Sequence, residues 1–214
     1  MKHASLKPDG FTLIELLVVM SIITVLASLT IATFGYANRK AGRDRATAEI
    51  AALSVALESY KIDNGDYPRS SDYPTLTDQA ADLLDPKADT NATIGNDRYM
   101  KASLALYKAL SSDQDGNRVI SDPEKTSGRV YFPFKPNMLY PKYNVGSTGA
   151  AQPVTALIDP FRNSYGYSTK YSADLIKDPN TTTPGGYNPT FDLWSTSDAD
   201  QSGATPPAAW ITNW

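Results

Sequence analysis

Gly10-Phe11-Thr12-Leu13-Ile14-Glu15-Leu16 is the stretch on which the fold turns. It opens an apolar run in which residues 16–37, 22 in all, carry no charge. About 20 such residues span the ~30 Å hydrocarbon core of a bilayer. A secretory signal has an apolar stretch of only ~7–15 residues, followed by a small-residue cleavage site. Here the polar leader, MKHASLKPDG, ends at Gly10 before the run begins. A cut between Gly10 and Phe11 therefore leaves the hydrophobic helix on the mature protein. Glu15 stands out, because a carboxylate inside a membrane segment is costly and by default marks a function with a partner. The same cut creates an α-amino group on Phe11, a natural counter-charge. In one straight helix the two share a membrane end; the amine of a neighbouring, staggered subunit could instead pair with Glu15 away from lipid. On the residues alone, a signal anchor whose Glu15 sits among the headgroups explains the run equally well.

Composition removes several classes of function. The 214 residues carry 20 Lys+Arg against 23 Asp+Glu, a net charge of −3, which leaves no basic footprint for nucleic acid. There is no cysteine, so disulfides, thiolate metal sites and cysteine nucleophiles are excluded. His3, the one histidine, lies in the leader. A mature chain without His or Cys lacks the commonest general base and the usual zinc ligands. A carboxylate pair could still act in hydrolysis.

The stretch around Glu15 resembles the cleavage motif of type IV pilins and pseudopilins. The likeness continues through Val18-Val19, Leu26-Ala27-Ser28-Leu29, Ala51-Ala52-Leu53 and Tyr60-Lys61-Ile62-Asp63-Asn64-Gly65-Asp66-Tyr67-Pro68. It is most similar to the major pseudopilin of type II secretion systems. The resemblance implies that a prepilin peptidase cuts between Gly10 and Phe11 and N-methylates Phe11. Glu15 becomes the carboxylate that sets helix register. It implies a homopolymer assembled with minor pseudopilins, an inner-membrane platform and its ATPase. The anchor would sit in the bacterial inner membrane with the head in the periplasm, and the work would be non-catalytic. Many relatives carry proline where this chain has Ala32, so a loosened segment there is not expected with the same force. Arg39, Lys40, Arg43 and Arg45 follow the span while only Lys2 and Lys7 precede it. The positive-inside rule alone would reverse the orientation that the resemblance implies.

The rest of the chain predicts an α+β head of pilin type with a loop-rich helical insertion. The expected segments are a leader at 1–10, a filament-core helix at 11–37 and an amphipathic continuation at 38–66. A variable block at 67–158 and C-terminal strands at 159–214 follow. Ile50, Leu53, Leu57 and Tyr60 form a narrow apolar stripe. Gly65 ends the helix and Pro68 prevents its resumption. Within 69–160, where the likeness lapses, short helices are expected at 75–84 and 98–111. The second of these has Met100, Leu104, Tyr107 and Leu110 at helical spacing. An edge strand is expected at 130–134 and loop at 136–153. Asp159-Pro160-Phe161-Arg162-Asn163-Ser164-Tyr165-Gly166-Tyr167 resembles the family's turn into a strand. Phe191-Asp192-Leu193-Trp194-Ser195 resembles the strand that follows, antiparallel to it on the helix, and Ile211-Thr212-Asn213-Trp214 the closing segment.

Calcium enters twice. Major pseudopilins hold it in the loop after the last strand. By resemblance the Leu193 carbonyl and one or both of Asp198 and Asp200 are the ligands here, and a second family Asp is replaced near Trp210. The other stretch begins at Asp113. On a twelve-residue calcium loop, Asp113, Asp115 and Asn117 fall at positions 1, 3 and 5, the Val119 carbonyl at 7, Ser121 at 9 and Glu124 at 12. Arg118 occupies position 6, where glycine is usual, and a plain Asp/Gly surface turn explains the same residues. Two other functions remain open: a surface type IV pilus subunit for adhesion or motility, and a membrane-anchored periplasmic hydrolase using paired carboxylates.

Overall fold

A computed structural model describes residues 11–69, 80–118, 128–142, 152–199 and 209–214. Helix α1 runs from Leu13–Asn64 over 52 residues without a break, including at Ala32. Its part up to Ala41 forms a unit of its own, and a second unit begins at Gly42.

In the first unit every large apolar side chain between Leu13 and Leu29 is exposed. The hydroxyls among them do not add exposed polarity. Ser21 donates to Val18 O, Thr24 to Met20 O, Ser28 to Val25 O and Thr30 to Ala27 O. Such back-bonding satisfies the hydroxyl on its own helix, as a segment lying in hydrocarbon requires. The helix is long and apolar enough to cross a membrane.

In the second unit α1 presents Ala46, Ile50, Leu53 and Leu57 to the core, all essentially buried. Burying each leucine contributes about 1.5–3 kcal/mol. Gly65 then takes φ +87° and its N–H donates to Lys61 O at 2.8 Å, a left-handed cap that any side chain would strain. Opposite this face lies α3 (Asp97–Ser111), started by Asn96, whose side chain accepts from Arg98 N. Its buried residues include Tyr99, Ala102, Leu106 and Leu110. Of the stripe expected, Tyr107 and Leu110 are buried, whereas Met100 and Leu104 are only partly buried. Alanines at 102, 105 and 109 widen the buried face. A short helix α2 (Ala80–Leu83) precedes α3. Most of the helix expected at 75–84 lies outside the described residues.

Two small antiparallel sheets complete the head. Strand β1 (Leu139–Tyr140) pairs with β2 (Ala156–Leu157), so the block at 136–153 is not all loop. It also opens with a 3-10 turn at Pro136–Met138. The second sheet has the order β3-β4-β5, from Gly166–Ser168, Asp192–Ser195 and Ile211–Thr212. Alternation along β4 serves two packing layers. Leu193 enters the main core with α1 and α3, while Trp194 joins Leu84, Tyr99, Ala102 and Trp210. Helix α4 (Lys170–Lys177), which the sequence reading did not anticipate, lies between β3 and β4 in the chain.

The edge strand expected at 130–134 does not form. Tyr131 N and Phe132 N both donate to the Leu110 carbonyl at the end of α3, and Pro133 has no N–H to give. The segment closes a helix end instead of joining a ladder. Tyr131, Phe132 and Phe134 still pack against the core.

Candidate functional site

The start of α1 is built around Glu15. Thr12 precedes the first turn of α1, and Glu15 stands three residues on, the spacing of a capping box. The Thr12 N–H donates to Glu15 Oε2 at 2.9 Å, and the Thr12 hydroxyl donates to the same oxygen at 2.7 Å. In return Glu15 N–H donates to Thr12 Oγ1 at 3.3 Å. The Thr12 amide belongs to the Phe11–Thr12 bond, so a cut after Gly10 leaves this box intact. Phe11 is 85% exposed beside it. Gly10 lies outside the described residues. A carboxylate at a helix N-terminus is also favoured by the helix dipole. Glu15 is thus held at the start of a 52-residue helix, with its exposed apolar face following directly.

At the far end of the chain the residues expected to hold calcium have other partners. The Leu193 carbonyl accepts from Asn213 N at 3.1 Å inside the sheet, and Leu193 N donates to Asn213 Oδ1. Asp198 Oδ1 lies 3.9 Å from Arg43 Nη1. Asp200 lies outside the described residues. Trp210, near which the resemblance implies a replaced Asp, makes an apolar contact: it is 6% exposed and stacks on Trp194 at 6.2 Å, with ring planes 5° apart. Asp198, the one described carboxylate of the expected set, thus faces a guanidinium.

The second expected loop is described only in its first half. Asp113 is buried, and its oxygens accept from Tyr107 Oη at 2.6 Å, Arg118 N at 2.8 Å and Gly116 N at 2.9 Å. Asp115 accepts from both Asn117 nitrogens. Arg118 takes φ +70°, the left-handed conformation that position 6 demands. These bonds close a turn at the end of α3. Val119, Ser121 and Glu124 lie outside the described residues. Among the described residues no three or more Asp, Glu, His or Cys side chains gather into a metal-binding group.

Two carboxylates are distinguished by burial. Asp159 takes N–H donors from Phe161 and Asn163 and the Ser195 hydroxyl at 2.6 Å. Burial nevertheless outweighs these bonds and pushes its carboxyl up to about 6. Asp192 is likewise raised by burial, against N–H donors from Tyr187 and Asn188. A polar cleft of about 610 Å³ lies beside Asp85, Lys87, Lys170 and Asp174. Its charges are internally matched, since Asp174 holds Lys170 at 2.8 Å and accepts from Gly185 N.

A family described as the prokaryotic N-terminal methylation motif matches residues 7–31, and one described as type II secretion system (T2SS), protein G, matches residues 34–106. The type II secretion system core protein G of Vibrio cholerae is 38% identical over 111 residues, 52% of this chain and 68% of that protein. The chain belongs to the type II secretion system protein G family. The core protein G of Escherichia coli is 41% identical over 86 residues, and that of Aeromonas hydrophila 38% over 78. The alignments span 59% and 50% of those two relatives. No solved structure matches the chain. The protein G match carries on to residue 106, beyond residue 69 where the likeness was expected to lapse. Helix α3 explains the extension, because Tyr99, Ala102 and Leu106 are core positions of the head.

Proposed function

We propose that this protein G relative is a structural subunit of a type II secretion pseudopilus. It polymerises through the first half of α1 to drive protein export. A prepilin peptidase removes residues 1–10 and methylates Phe11. The inner membrane holds the subunit by its apolar helix, with the head in the periplasm, until an assembly platform and its ATPase extract it. Minor pseudopilins complete the filament. The subunit performs no catalysis; its work is mechanical.

One observation carries this reading. A helix whose large apolar side chains are all exposed from Leu13 to Leu29 begins with a capped carboxylate at Glu15. Such a surface needs lipid before assembly and other helices after it. Glu15 Oε2 takes both Thr12 donors, which leaves Oε1 to accept from the Phe11 amine of a neighbour. Pairing then occurs only on assembly and fixes the stagger. The membership in the protein G family favours the secretion pseudopilus over a surface pilus. Deleting the gene in its own host tests the proposal. Exoproteins should accumulate in the periplasm, and the wild-type gene should restore their release. Unchanged release in the deletion strain would contradict it.

A further inference from the structure

We infer, building on the membrane-held subunit proposed above, that Arg39 and Lys40 bind anionic phospholipid headgroups where α1 leaves the bilayer, with Tyr36 beside them at the hydrocarbon boundary. The three residues stand at i, i+3 and i+4 on an unbroken helix and therefore share one face. Tyr36 is 74% exposed, and Arg39 and Lys40 are exposed next to it. All three belong to the unit that ends at Ala41, so the anchor needs nothing from the head.

Helix length puts them at the right depth. At 1.5 Å per residue, Glu15 and Arg39 stand about 36 Å apart along the axis. The hydrocarbon core is ~30 Å thick, and the bilayer with its headgroups about 40–45 Å. A helix with Glu15 in one headgroup layer therefore carries Arg39 and Lys40 into the other. Tyr36 falls at the boundary, where a ring with a polar tip is favoured.

Charge selects the lipid. Over residues 11–41 the charged side chains are Glu15, Arg39 and Lys40. Removal of the leader takes away Lys2 and Lys7 and leaves the Phe11 amine to offset Glu15. The mature segment is then neutral at one end and carries two cations at the other. The next two cations along the chain are engaged in the head. Arg43 donates to Ser197 Oγ at 3.0 Å and to the Ala209 carbonyl, and Arg45 holds Glu49 at 2.7 Å. A guanidinium meets a phosphate with two parallel hydrogen bonds, and an ammonium adds a point charge. Each such cation near an anionic surface strengthens attachment about fivefold. Lipid phosphates also supply the counter-charge for cations that follow the span, which the positive-inside rule leaves unexplained.

Native mass spectrometry of the full chain, released from nanodiscs of equal parts phosphatidylglycerol and phosphatidylcholine, counts the lipids it keeps. Phosphatidylglycerol should be retained over phosphatidylcholine by about fivefold or more. Arg39→Gln combined with Lys40→Gln should bring that ratio to about one, while Arg45→Gln should leave it unchanged. Equal retention by the wild type would overturn the inference, and so would a preference that survives in the double variant. A double variant that keeps its lipid preference but no longer assembles in cells would assign the two cations to an acidic protein partner instead. If the double variant does not fold, the wild-type ratio alone decides. The measurement does not read secretion, so a negative result leaves the pseudopilus reading to its own test.

Discussion

Glu15 and Thr12 close on each other three times at the start of α1: two donors from Thr12 meet one carboxylate oxygen, and Thr12 Oγ1 receives the Glu15 N–H. The box shields part of the carboxylate from lipid in the lone subunit without neutralising it. Its remaining oxygen and its charge are what the proposed pairing with a neighbouring subunit uses.

That division of labour separates two substitutions. Glu15→Gln keeps a capping side chain at the third helical position and removes the charge. Glu15→Ala removes both. Leader cleavage should persist in each, and filament assembly should fall at least tenfold in each, read as cross-linked multimers. Normal assembly by Glu15→Gln would show that the cap matters and the charge pair does not.

Gly166 admits no side chain. A Cβ built there falls within the indole ring of Trp194, whose strand pairs with it in register. Trp194 is fully buried between Tyr99 and Trp210 and cannot retreat. Gly166→Ala should cost about 1–3 kcal/mol, and lower the melting midpoint by about 4 °C or more. Thermal unfolding of the full chain in micelles checks this, and an unchanged midpoint would mean that the sheet packs differently.

Tyr165 ties the C-terminal sheet to α1. Its ring is fully buried and its hydroxyl donates to Glu49 Oε2 at 2.6 Å, while Arg45 holds Glu49 Oε1 at 2.7 Å. Tyr165→Phe should cost about 1–3 kcal/mol, the range for a hydrogen bond to a charged partner. Combined with Glu49→Ala the losses should fall short of their sum, because both remove one interaction. Full additivity in urea titrations would place the two residues apart.

Asp159 gives the head a pH dependence of known sign. Its folded pKa of about 6 stands above the ordinary 3.8, chiefly through burial. Between those values the folded chain holds a proton that the unfolded chain has released. Stability therefore falls as pH rises through that window, by on the order of 1–3 kcal/mol. Asp159→Asn should flatten the urea midpoint between pH 4 and 6.5. A wild-type midpoint that rises over the same range would contradict the assignment.

Much of the architecture was legible because it rests on long periodic signals. The apolar run beyond Leu16, the stripe at Ile50, Leu53 and Leu57, and the stop at Gly65 together write α1. The alternation of Leu193 and Trp194 writes β4. Two-residue strands carry no such signal, so β1 and β2 could not be read from Leu139-Tyr140 and Ala156-Leu157. Helix α4 was hidden for another reason. It has no fully buried residue and no side-chain N-cap bond, and it is supported by the Lys170–Asp174 pair on its own turn. At the site, Glu15 was found as a charge out of place. Arg43 was not, because its two loop contacts lie more than 150 positions away, at Ser197 and Ala209.

The absence of cysteine makes the central claim open to one direct measurement. Two cysteines placed on opposite faces of α1 between Leu13 and Leu29 have no competing thiol in the chain. Oxidised in membranes of cells that carry the secretion machinery, such pairs should yield a ladder of dimers, trimers and higher multimers. Adding Glu15→Gln should collapse it to monomer. Monomer alone from every wild-type pair, in cells that secrete normally, would contradict a filament assembled through this helix.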